Sequence, residues 1–277
     1  MKKLRKLTAV LIALVLTLSI SVSALAAMDS SFLSSFSNRS STESASGATG
    51  ETRWLQDYSN EEVLTYFMSV AYQSEYGGAR DHNVRWVKPI RYSVNGNPQE
   101  GDLETLKAIT ERLNVTLGFS GIAEAKNPED ANMKIYFVSM DDFTKYVSTA
   151  AGYFWGYANI WWDYDDYGRY GAITNTVVLI ADEIPSRTER DSIIYEEVLQ
   201  SLGLLQDTDD YYESVFYQDN NFQGEAAAID WALVEILYSP KMITGASGEE
   251  GKALAETIIA SKSAAKQEIA NTIHRIK

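Results

Sequence analysis

The chain has 277 residues, no cysteine, only two histidines (His82 and His274) and a formal net charge of −14. The absence of cysteine excludes a disulfide scaffold, and the acidic balance argues against nucleic acid or anionic lipid as partners, since such a surface repels phosphate. Stability has to come from an ordinary apolar core, for which 45% hydrophobic residues are ample.

Residues 1–27 read as a secretory signal peptide. "MKKLRK" is a basic start, "LTAVLIALVLTLSISVS" an apolar core and "ALA" a small-residue cleavage signal. Cleavage near Ala26 or Ala27 removes Lys2, Lys3, Arg5 and Lys6, so the product is more acidic still. No later run approaches the ~18 apolar residues of a membrane helix. Without cysteine there is no lipid attachment site. The expectation is a secreted or extracytoplasmic protein with no membrane span after signal cleavage. Residues 28–55 are serine-rich and read as a flexible linker.

Order is expected from "SNEEVLTYFMSVAYQSE", a helix capped by Ser59 or Asn60 with acids in its first turn. "VRWVKPIRYSVNG" (84–96) reads as one strand ending in a turn at Asn95 and Gly96. "DLETLKAITERLNVTLG" reads as an amphipathic helix burying Leu103, Leu106, Ile109, Leu113 and Leu117. "MKIYFVS" follows as a strand and "DDFTKYVST" as a short helix. The aromatic segment "YFWGYANIWWDYDDYGRYGAITNTVVLIAD" reads as two strands around a turn at 165–169. A helix over 186–202 stops at Gly203, "EAAAIDWALVEILY" is another helix, and the tail 249–276 is helical. The class is α+β, with a domain over 56–250 and a helical C-terminal part over 251–277.

The helix at 186–202 carries the chemical signal. In "SIIYEEVLQSLGLLQDTDD" the spacing Glu196-Glu197-x-x-Gln200-x-x-Gly203 overlays the zinc peptidase frame H-E-x-x-H-x-x-G, with Gln206 at a third-ligand position. That frame works because residues four apart share a helix face, so two imidazoles hold one zinc while the glutamate works on the metal-bound water. Glu197 stands in the glutamate position. Glu196 and Gln200 stand where imidazoles would be, and neither histidine is near in sequence. An amphipathic helix with a glycine cap also produces this spacing.

The wider context decides between these readings. "RWVKPIRYSVNG", "WGYANIWW", the helix with its D-x-D pair (Asp207, Asp209), Ser214-Val215-Phe216 and "LVEILYSPKMITGAS" together resemble the domain-of-unknown-function 2927 family over roughly residues 60–250. These are exported bacterial proteins similar to zincin peptidases with a degraded metal motif. The resemblance implies a zincin-like mixed sheet followed by an active-site-type helix. It puts Glu196, Glu197 and Gln200 on the former active-site helix, Gly203 at its turn, and Asp207 and Asp209 on the loop after it. Ser214 and Phe216 fall near the floor of the former metal site. The aromatic strand around residues 155–162 borders the cleft, and Tyr195 is bulky enough to fill space there.

Other constellations carry less. "DYDDYG" (163–168) lacks the ligands an EF-hand requires at its fifth and twelfth positions. Trp155, Trp161 and Trp162 could stack on sugar rings, but alternating aromatics on a strand more often divide between core and edge. Glu196 and Glu197 point about 100° apart on a helix and so do not form a facing glycosidase pair. The expectation is therefore a non-catalytic, metal-free and cofactor-free degenerate metallopeptidase that acts by binding an unknown protein or peptide partner in the bacterial envelope. The alternative is a metal-dependent hydrolase using oxygen ligands from Glu196, Gln200 and Asp207, with Glu197 catalytic.

Overall fold

A computed structural model describes residues 53–74, 80–117, 121–150, 152, 154–218 and 222–276. The expected signal peptide and all but the end of the linker lie outside the described residues. Trp54 and Leu55, at the end of that linker, already pack against the core.

The first helix, α1 (Asn60–Tyr72), starts on a full capping box. Ser59 Oγ accepts from Glu62 N–H at 3.1 Å, and Glu62 Oε2 accepts from Ser59 N–H at 2.6 Å. The expected strand at 84–96 is two strands, β1 (Arg85–Trp86) and β2 (Ile90–Gly96), separated at Pro89. Proline has no N–H for a ladder, and the break sends the halves to different partners. β1 pairs with β6, whereas β2 pairs with β3 and β4.

Helix α2 (Glu100–Thr116) follows and buries Leu106, Ile109 and Leu113. Leu103, expected inside, is 47% exposed, and Asp102 takes the inward position instead. Strand β3 (Ile122–Glu124) is too short to have left a periodic signal. Strand β4 (Met133–Val138) leads through a 3-10 turn into the short helix α3 (Phe143–Tyr146). Strands β5 (Gly156–Tyr164) and β6 (Tyr170–Ala181) form the expected hairpin. Three helices complete the chain: α4 (Arg187–Gln200), α5 (Ala228–Leu237) and α6 (Gly248–Ile276).

The sheet is mixed and the fold α+β. Strands β3, β2, β4 and β6 lie side by side in parallel, and β5 runs antiparallel along β6 as an edge strand. β6 forms the middle of the core, with Val178, Leu179, Ile180 and Ala181 fully buried. α4 packs on β5 and β6 and against α2, while α1, α5 and α6 pack on one another. No helix among the described residues is long and apolar enough to cross a membrane.

Candidate functional site

α4 follows directly from the buried end of β6. Ser186 caps it, accepting from Glu189 N–H at 3.2 Å. Ile193, Ile194, Val198 and Leu199 bury one side in the core, as any amphipathic helix would. The polar side is buried too: Glu189, Arg190, Ser192, Glu196, Glu197 and Gln200 are each less than a tenth exposed. Charged residues are rarely buried unless partners hold them, so this helix has been built to keep charge out of water.

One anchor holds the helix in place. Arg190 makes a two-pronged contact with Asp102, Nε to Oδ1 at 2.8 Å and Nη2 to Oδ2 at 2.8 Å, and donates from Nη1 to the Ala181 carbonyl at 2.7 Å. Arg187 adds a bond to Asp102 Oδ1 at 2.6 Å, and Gln99 N–H one to Oδ2 at 2.8 Å. Burial alone would raise the Asp102 pKa. The two guanidinium groups and the backbone donor outweigh it and hold the carboxyl below its ordinary range. The start of α2, the end of β6 and the start of α4 are thereby fixed to one another.

The residues of the frame lie farther along α4. Glu196, Glu197 and Gln200 are 8%, 4% and 7% exposed. Glu197 lies against the first residue of the edge strand: a Cβ added at Gly156 would sit 2.3 Å from its Oε1. Gly156 therefore lets the carboxylate approach the backbone of β5. Gln200 donates from Nε2 to Asp207 Oδ1 at 2.8 Å, and Gln206 donates to the Asp207 carbonyl at 2.6 Å. The second- and third-ligand positions of the frame thus converge on Asp207.

Gly203 makes the turn that brings the loop back. Its φ is +110°, its N–H bonds to the Gln200 carbonyl at 2.8 Å, and a Cβ there would meet the Val84 carbonyl oxygen at 2.1 Å. Arg80 donates from Nη2 to the Gly203 carbonyl at 3.1 Å. Burial pushes this guanidinium down to about 10.

Under the loop lies a second buried network. Phe216 is fully buried, and its N–H donates to Ser214 Oγ at 3.0 Å. Ser214 Oγ in turn donates to Asp230 Oδ1 at 2.5 Å and accepts from the Tyr66 hydroxyl at 2.7 Å. Asp230 also accepts from Val215 N–H at 3.1 Å and Ala227 N–H at 2.8 Å. Burial pushes its carboxyl up to about 6 in spite of these bonds. The loop over residues 207–208 zips onto 216–218, Thr208 N–H to Phe216 O at 2.8 Å and Gln218 N–H to Thr208 O at 3.0 Å. Asp207, Phe216 and α5 therefore form one unit beside the end of α4.

Not every expected position joins the cluster. Asp209 is exposed on the loop. Tyr195 is buried, with its ring edge-on to Trp231 of α5 at 6.5 Å. Trp155 and Trp162 pack against the core while Trp161 is exposed, so the three tryptophans do not share one stacking face. In the "DYDDYG" turn, Asp165 is consumed locally: Oδ1 accepts from Tyr167 and Arg169 N–H at 2.8 Å each, and Oδ2 from Arg169 Nε at 2.7 Å. Among the described residues no three His, Asp or Glu side chains gather closely enough to ligate one ion. His82 and His274 lie on other elements, before β1 and at the end of α6.

Asp102, Arg190, Asp230, Tyr66 and Gly156 are the site residues that sequence reasoning missed. Asp102 had one trace: it falls in register with Leu106, Ile109 and Leu113, on the stripe that α2 buries. The others pair across separations of up to 148 residues, as Tyr66 with Ser214, and leave no local pattern.

A family model described as protein of unknown function, DUF2927, matches residues 60–257. No curated protein matches the chain.

Proposed function

This chain belongs to the DUF2927 family, and from that premise we propose an exported bacterial envelope protein whose zincin-like domain has lost its zinc and acts by binding a protein or peptide. The observation that carries the reading is the chemistry on α4. The spacing of a zinc peptidase helix is present and buried against an edge strand, with Glu196 and Gln200 where imidazoles would be needed. Glu197 then has no metal-bound water to work on. Gln200 is turned instead toward Asp207, a structural use of the second ligand position.

The edge strand supports a binding role. Among the described residues β5 pairs with β6 along one side only, and its first residue touches Glu197. An extended peptide lying along the other side would gain main-chain hydrogen bonds and sit over the end of α4. The basic, apolar and small-residue pattern of residues 1–27 supports export.

Two measurements test this. Elemental analysis of dialysed protein should find no stoichiometric zinc, while the triple variant Glu196→His, Gln200→His and Gln206→His should hold about one equivalent. A triple variant that folds without taking up zinc sinks the zincin frame. Display selection of extended peptides on the purified protein should yield ligands that Ala158→Pro weakens. Casein cleavage abolished by Glu197→Gln would instead establish the oxygen-ligand hydrolase.

A further inference from the structure

The free end of the β5–β6 hairpin is rigid and aromatic at once. Asp165 locks the turn through its bonds to Tyr167 and Arg169, and Arg169 stacks on the Tyr167 ring at 5.2 Å. Around this locked turn Trp161, Tyr164, Tyr167 and Tyr170 are all exposed. Four exposed aromatic rings on a rigid support add nothing to a core and mark a contact surface.

The rings lead somewhere. Tyr164 and Tyr170 lie 5.1 Å apart between centroids, and Tyr170 and His82 another 5.1 Å apart, so three rings form a continuous ladder. The ladder ends at an open cavity of about 550 Å³ lined by Asp81, His82, Arg169, Tyr170, Ser247 and Glu250 among others. That volume falls within the ~300–1,000 Å³ of small-molecule sites.

The walls of the cavity are fixed. His82 Nδ1 bonds to Asp81. The buried Asn83 donates to the Ile243 carbonyl at 3.0 Å and to the Tyr72 hydroxyl at 3.2 Å, and its Oδ1 accepts from Gly245 N–H at 3.0 Å. Gly245, at φ +72°, passes so close to the hairpin that a Cβ would lie 1.9 Å from the Tyr170 carbonyl oxygen. His82 Nε2 is buried and has no hydrogen-bond partner among the described residues.

We propose that this end of the molecule is a binding site for a neutral oligosaccharide. Aromatic faces stack on the C–H faces of pyranose rings, and Trp161, Tyr164, Tyr167 and Tyr170 are exposed around the turn, with Tyr164 and Tyr170 tilted 53° to each other. The carboxylates of Asp81 and Glu250 and the Ser247 hydroxyl in the adjoining cavity supply acceptors and a donor for vicinal sugar hydroxyls. A protein helix would ask for an aliphatic groove, and among the residues lining the cavity Ile243 alone is aliphatic. Charge selects against phosphorylated or uronic sugars: Asp81 and Glu250 face the cavity, Arg169 is already paired with Asp165, and the whole chain carries −14. The site lies on the hairpin tip, apart from α4, and does not depend on the reading of that helix.

Calorimetric titration of the signal-free chain with N-acetylglucosamine tetramer and with cellotetraose tests the proposal. We expect one of these probes to bind. Tyr164→Ala and Tyr170→Ala should each weaken binding by about tenfold or more, the scale of an aromatic anchor. Tyr170→Phe, which keeps the ring, and Val115→Ala, an exposed change on α2, should bind as the wild type does. Circular dichroism melts would show that the alanine variants fold, as Tyr164 is exposed and leaves no cavity. Absence of binding for both probes at millimolar concentration, or binding unchanged in folded Tyr164→Ala and Tyr170→Ala, overturns it.

Discussion

Replacing Gly203 with alanine adds a single methyl group, yet it should be among the most damaging small changes in this protein. Two costs combine. At φ +110° a residue with a side chain sits in a sparsely populated region, which costs on the order of 1–3 kcal/mol. The new Cβ would also lie 2.1 Å from the Val84 carbonyl oxygen, closer than van der Waals contact permits. Backbone on one side or the other must move, as in an overpacked core, at about 1–3 kcal/mol. Together these reach about 2–6 kcal/mol, against a total stability of roughly 5–15 kcal/mol. For a domain of this size that lowers the melting temperature by about 5–20 °C. Gly168→Ala separates the two costs, since Gly168 has φ +76° but no atom within 4 Å of the place its new methyl group would take. Thermal melts by circular dichroism should place Gly203→Ala well below Gly168→Ala, with Gly203→Val lower still. If the two alanine variants melted together, the tight turn under α4 would be wrong, and the convergence of Gln200 and Gln206 on Asp207 with it.

Two further outcomes follow from the buried charges. Asp102→Ala strands the buried guanidinium of Arg190 and should cost about 3–5 kcal/mol, whereas Asp102→Ala combined with Arg190→Met should recover part of that loss in chemical denaturation. Because the Asp102 carboxyl is held below its ordinary range, its contribution is present above the unfolded pKa and is lost only as pH falls through the lower folded value. Asp230 runs the other way: its folded pKa of about 6 exceeds the unfolded value, so the native state binds the extra proton. That contribution is full below about pH 4 and lost as pH rises through about 6. Between pH 7 and pH 5 the wild type should therefore gain about 1 kcal/mol relative to Asp230→Asn. Equal pH slopes for the two proteins would refute the assignment.

How much of this was legible in the sequence depended on distance along the chain. The capping box at Ser59 and Glu62, the hairpin around 165–169, and the run of α4 from its cap at Ser186 to Gly203 were legible because each is written within a few consecutive residues. The segment 84–96 reads as one strand in spite of Pro89, and nothing local tells that the strands on either side of it join different neighbours. Leu103 looked like core because it is apolar at helical spacing. It is exposed because the inward slot one residue earlier is taken by Asp102, whose arginine partners stand 85 and 88 residues away. The spacing of the α4 frame was likewise plain, but its attachment to Asp207 and the support from Asp230 and Ser214 arise only once the chain has folded.

The contact between α1 and α6 joins parts of the chain that are far apart in sequence. Ser263 Oγ bonds to Asn60 Oδ1 across 203 residues, and Lys266 Nζ bonds to the Trp54 carbonyl across 212. β1 must likewise wait for β6 before it has a partner. Few of these long closures reward the chain until nearly all of it is present, and loop entropy is spent before the contacts return it. Folding of this topology belongs to the slow regime, and a nascent chain lacking α6 would leave the face of α1 that Ala255, Ile258 and Ile259 help to cover open to water.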